Sequence, residues 1–194
     1  MVNWEFSTNR DFPAFEFFEL DRKSNFTNII SVASFSNNRC TLVSEVLKDL
    51  LSELSLPDHI FYPVSVGKKN KEARIYYVFK IIPNGVEFID YNASVFHIKN
   101  DETGLIESHD FHTDALKSII NWKTYPIKYP LVLRASKLVL LNNFEFDVFP
   151  VGKLGHGLIF SEKGKLYLED NSIDVFDFSP LNGKNGRPLF VKAE

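Results

Sequence analysis

The chain has 194 residues, 44% of them hydrophobic and 24% charged, with a net charge of −3. That length suits one domain of ordinary size or two small lobes, and the composition is that of a globular protein. The slight acidic balance argues against a general nucleic-acid binder. The lone Cys40 excludes an internal disulfide and a multi-cysteine zinc site, and no apolar run approaches the length that spans a membrane.

In chain order, Met1-Val2-Asn3-Trp4-Glu5-Phe6-Ser7 lacks the basic and apolar regions of a signal peptide, so a cytoplasmic protein is expected. Nineteen phenylalanines supply ample apolar area for a core. Residues 12–20 read as a strand or two broken at Pro13, and residues 35–39 as a loop. Residues 44–55 form the clearest helix, with Val46, Leu47, Leu50, Leu51 and Leu54 at helical spacing on one face. Ser44 stands where an N-cap belongs, a contribution of about 1 kcal/mol, and Glu45 suits the helix dipole. Pro57 stops the helix, and residues 60–66 return as a strand.

Residues 67–74 are a polar, basic loop, and residues 74–82 are β-rich. Pro83-Asn84-Gly85 then predicts a hairpin turn with residues 86–91 as the return strand. Residues 110–122 are ambiguous: Leu116, Ile119 and Ile120 permit a short helix capped by Thr113, with Pro126 and Pro130 beyond it. Residues 131–141 contain a strand. Phe144, Phe146 and Val148 alternate with Glu145 and Asp147, the pattern of a half-buried strand, and residues 182–188 read as a turn or tail.

Self-comparison reveals a repeat. Ser161 lies 117 residues after Ser44, and the same offset relates Glu45 to Glu162, Lys48 to Lys165, Leu51 to Leu168, Phe61 to Phe178 and Pro63 to Pro180. Composition alone gives roughly one or two identities over such a window. Each copy, at about 42–66 and 159–181, reads as an apolar strand, Ser-Glu, a short helix, a turn, and a strand ending Phe-x-Pro. In the second copy Gly164 costs the helix about 1 kcal/mol relative to Ala. The plain alternative is that Ser-Glu is a common helix start and the rest coincidence.

Chemistry-bearing patterns are sparse. His109-Asp110-Phe111-His112 contains two spaced histidines but has no partner motif that would complete a zinc site, so a polar loop is the default. Residues 152–157 are glycine-rich, yet they precede an apolar strand rather than open a helix, so they do not fit a phosphate cradle. Cys40 or a serine would need a histidine brought to it in space to act as a nucleophile. Lys68, Lys69, Lys71 and Arg74 fit a solvated hairpin loop, without any accompanying nucleic-acid motif. Glu169, Asp170, Asp174 and Asp177 form an acidic run that would suit a basic partner.

Several of these segments fall in a recognisable order. Val43-Ser44-Glu45 leads to Phe61-Tyr62-Pro63-Val64, then Tyr76-Tyr77-Val78, then Ile89-Asp90-Tyr91 with Ser94. Asp147-Val148-Phe149, residues 157–162 and residues 175–181 follow. Across about residues 41–181 this order resembles the polymorphic-toxin immunity proteins of bacteria. Residues 1–40 match nothing specific. The resemblance implies a cytoplasmic antidote, encoded beside a toxin, that binds the toxin stoichiometrically and blocks it without catalysis, cofactor or metal.

The residues themselves indicate one α+β domain over 1–194, with a mixed or antiparallel sheet and a few short helices; two related lobes remain the open alternative. The expected partner is a protein, with neither nucleic acid nor membrane involved, and the acidic run is the candidate toxin-facing surface. Two other functions stay open. One is a small-molecule or peptide-binding module with a groove around Tyr76, Tyr77 and Tyr91. The other is an enzyme whose activity would depend on His109 or His112.

Overall fold

The computed structural model describes residues 17–20, 25–30, 40–68, 73–83, 85–107, 131–150, 158–174, 176, 178, 180–181 and 189–192. Within them the protein is α+β, with mixed sheets and two short helices. It divides into two compact units. The first comprises Met1–Ile82, Phe146–Val148 and Phe160–Asp177; the second comprises Pro83–Glu145, Phe149–Ile159 and Phe178–Glu194. The expectations at residues 35–39, 69–72, 108–130, 151–157 and 182–188, and at Asp177, lie outside the described residues.

The first unit is built on five strands: β1 (Phe17–Glu19), β2 (Ile29–Ile30), β3 (Cys40–Ser44), β4 (His59–Gly67) and β5 (Ala73–Ile81). Their order is β1-β4-β5-β3-β2, with β1 parallel to β4 and the other pairs antiparallel. Period-2 alternation sends Leu42, Val64, Val66, Tyr76 and Val78 to one face, where they pack with Ile30. Val43, Tyr77 and Phe79 take the opposite face. Helix α1 (Glu45–Ser52) packs there against β3 and β5, with its Lys48 ammonium 5.2 Å from the Tyr77 ring centre. Leu47 and Leu51 are fully buried. Truncating either to Ala would cost about 2–5 kcal/mol.

Four expectations are corrected by the structure. Val46 is 60% exposed, so the buried face of α1 centres on Leu47 and Leu51 and leaves Val46 outside it. Residues 86–91 do not return along β5, because β3 and β4 already occupy both of its edges. Gly85 adopts φ +77 and leads into a 3-10 turn at Val86–Phe88. The alternating segment 144–148 becomes a strand only from Val148, and Asp147 is buried rather than wet. In the second Phe-x-Pro segment, Phe178, Pro180 and the other described residues of 173–181 lie outside strands, whereas Phe61 and Pro63 sit inside β4. Pro63 is tolerated there because β1 pairs with β4 only from Ser65 to Gly67, so its outer side carries no partner strand among the described residues.

In the second unit β6 (Val95–Asn100), β7 (Ile106–Glu107), β8 (Leu131–Leu140) and β11 (Leu189–Lys192) form a sheet of order β11-β8-β6-β7. β11 runs parallel to β8, and the remaining pairs are antiparallel. Phe96, Ile98, Leu133, Ala135 and Leu138 form its buried face. Phe144 meets Phe149 edge-on at 4.4 Å between ring centres. Strands β9 (Val148–Pro150) and β10 (Leu158–Phe160) pair with each other, and β10 leads into helix α2 (Glu162–Asp170).

Candidate functional site

The two Ser-Glu starts are helix caps of the same construction. Ser44 (φ −66, ψ 164) and Ser161 (φ −65, ψ 160) both hold extended backbone, as an N-cap requires. The Ser44 hydroxyl accepts from the Leu47 N–H at 3.2 Å, and that of Ser161 accepts from the Gly164 N–H at 2.9 Å. Each hydroxyl also donates to an amide or carboxylate side chain ahead of the preceding strand pair: Ser44 to Asn28 Oδ1 at 2.8 Å, Ser161 to Asp147 Oδ1 at 2.7 Å. The backbone N–H of each serine donates to the main-chain carbonyl of that same residue. These serines are held on both sides and serve to start helices.

Asp90 and Ser94 are likewise structural. Asp90 Oδ1 accepts from the N–H groups of Asn92 and Ala93, closing a turn. The Ser94 hydroxyl donates to the Asp90 carbonyl and accepts from the Val139 N–H at 2.9 Å, tying that turn to β8.

Asp147 is the most heavily engaged carboxylate among the described residues, and it lay on the expected wet side of its segment. It is 5% exposed. Oδ2 accepts from the Ser55 N–H at 3.0 Å and from Lys163 Nζ at 3.0 Å, while the backbone N–H of Asp147 donates to the Ser55 carbonyl at 2.7 Å. The residue thereby links the end of α1 to the start of α2 within the first unit. Burial alone would raise its pKa, but the hydrogen bonds from Ser55, Ser161 and Lys163 outweigh burial and hold the carboxyl below its ordinary value. Gly164 fits this crowding. A Cβ there would stand 3.1 Å from the Asp147 carbonyl oxygen.

The acidic run is only partly assembled among the described residues. Glu169, Asp170 and Asp174 are exposed, with Glu169 and Asp170 in the last turn of α2. Lys165 tempers this charge, lying 3.8 Å from Glu162 and 4.0 Å from Glu169. That last turn contains no basic residue, so its carboxylates oppose the helix dipole.

The tyrosines of the expected groove belong to two separate cores. Tyr76 is buried in the first unit, its hydroxyl donating to the Thr27 carbonyl, and burial raises its pKa. Tyr91 is buried in the second, donates to the Val86 carbonyl, and is pushed up to about 12, by burial first and then by Glu87. Tyr77 is half-buried beneath Lys48. The Cys40 thiol is pushed up to about 11 by burial, with Lys80 opposing, so little reactive thiolate exists at neutral pH. His109 and His112 lie outside the described residues, and among those described no three His, Cys, Asp or Glu side chains are placed to hold a metal. Nor is any described helix long and apolar enough to cross a membrane.

A cationic stripe that no local pattern marks crosses the second unit's sheet. Strand register places His97 opposite Arg134 and Val95 opposite Lys137, with Lys99 two residues beyond His97 on the same face. Burial pushes the His97 pKa down, and Arg134 and Lys99 add to that shift. Fold and side chains together define an α+β protein of two compact units whose serine motifs are structural and whose charged groups, Asp147 apart, are not buried among the described residues. Comparison with protein families, curated proteins and solved structures finds no match for this chain.

Proposed function

We propose that this chain is an immunity protein that binds and neutralises a cognate bacterial toxin encoded nearby, stoichiometrically and in the cytoplasm. The observation that carries the proposal is the ordered set of motifs resembling that family in the sequence. Ser44, Ser94 and Ser161 each fix the start of an element through two side-chain hydrogen bonds. Motifs of that kind belong to a scaffold, and they leave exposed side chains to recognise the partner.

In this proposal the protein acts by covering the toxin rather than by chemistry of its own, and it uses neither a metal nor a cofactor. The candidate toxin-facing residues are Glu169 and Asp170 in the last turn of α2 and Asp174 beyond it, all exposed, with Asp177 following in sequence. A carboxylate cluster of this kind attracts a basic protein such as a nuclease, and complementary fields speed the encounter. Co-expression with the product of the adjacent gene tests the proposal. The chain is expected to rescue growth and to co-purify with that product at one to one. Loss of both rescue and co-purification would remove the proposal.

A further inference from the structure

We infer that the open face of the four-stranded sheet, carrying His97 and Lys99 on β6 and Arg134 and Lys137 on β8, is a docking surface for a protein that presents carboxylates. The opposite face is taken up by the core around Phe96, Ile98 and Leu133. On the open face, Val95 is 51% exposed and Ile106, opposite Lys99 on β7, is 61% exposed. Apolar and cationic side chains therefore alternate across three neighbouring strands.

Among the described residues the positive charge there is compensated only by Asp101. Among the described residues Arg134 has one ion-pair partner, Asp101 at 3.3 Å, which engages a single guanidinium nitrogen. An arginine carries five N–H donors, so others remain for a second carboxylate. Among the described residues neither Lys99 nor Lys137 has an ion-pair partner. His97 faces Arg134 across the strand pair, and burial first, then Arg134 and Lys99, disfavours its protonation. Carboxylates brought to the face would relieve like-charge crowding that the free chain bears.

A protein fits this face better than a nucleic acid. The named face residues include no Phe, Tyr or Trp on which bases could stack. Valine and isoleucine beside arginine and lysine are the mixture expected where a small apolar patch is ringed by charge. The assignment holds for any acidic protein partner, toxin or not.

The test titrates isotopically labelled full-length chain with a poly-glutamate peptide and, separately, with a DNA duplex of equal charge, following backbone amide signals. The peptide is expected to shift signals of residues 95–99 and 132–137. Its affinity should fall about tenfold in Lys99→Glu and in Lys137→Glu, and fall further as salt is raised. Lys48→Glu, on α1 of the other unit, should leave it unchanged. Both diagnostic substitutions remove side chains without an ion pair among the described residues, so the fold is expected to survive, and a thermal melt checks this. Shifts elsewhere, affinity indifferent to both substitutions, no binding at millimolar peptide, or tighter binding of the duplex to the same residues would each overturn the inference.

Discussion

Asp147 shows how one side chain can hold distant segments together. Its carboxylate accepts from Ser55, 92 residues away, and from Ser161, 14 residues away. Replacing it with Ala strips the part-buried Ser55 N–H and Ser161 hydroxyl of their charged partner, a loss of about 1–3 kcal/mol. Lys163→Ala should cost under about 1 kcal/mol, because that side chain is 75% exposed and its ion pair is screened. Urea melts of both variants separate the two cases. The pH dependence has a definite sign. The folded pKa is lowered, so the stabilisation is complete above the ordinary carboxylate pKa of roughly 4 and is lost as pH falls through the folded value. Asp147→Asn should flatten the part of acid unfolding that this group contributes. None of this was legible locally. Alternation with Phe146 and Val148 put Asp147 on a wet face, and no spacing rule reaches a partner 92 residues away.

At the scale of elements, the helix starts were legible and the strand ends were not. A cap is a local device: Ser44 and Ser161 need only their own first turn. A strand is completed by a neighbour. Phe61 and Pro63 lie in a strand because β5 pairs along all of β4, while Phe178 and Pro180, with the same local pattern, lie outside strands. Helix α2 ends in a feature that carries its own prediction. Ser172 takes φ 59, its N–H donates to the Glu169 carbonyl, and the Ile173 N–H reaches the Leu168 carbonyl, a C-terminal motif that favours glycine at the left-handed position. Ser172→Gly should therefore stabilise the protein by about 0.5–1 kcal/mol in a thermal melt. Gly164→Ala should destabilise it despite alanine's better helix propensity. The added Cβ meets the Asp147 carbonyl at 3.1 Å, and that carbonyl is held by the Ser161 N–H.

At the scale of the molecule, the net charge of −3 conceals two local fields, an acidic end of α2 in one unit and a cationic sheet face in the other. The first could be read from sequence because its carboxylates are close along the chain. The second could not, since Lys99 and Arg134 come onto one sheet face only through the register of β6 and β8. The acidic end allows a test that separates a binding role from a structural one. Asp170 closes α2 with a charge that opposes the helix dipole, and it has no ion pair among the described residues. Asp170→Lys should raise stability by roughly 0.3–1 kcal/mol, because a cation suits that terminus. If Asp170 faces a basic toxin, the same substitution should slow association several-fold at low ionic strength, with the difference shrinking as salt is added. Stopped-flow association measured beside a thermal melt distinguishes the outcomes. A more stable chain that binds more slowly marks a charge kept for its partner at some cost to the fold, whereas a more stable chain with unchanged association assigns the toxin contact to another surface.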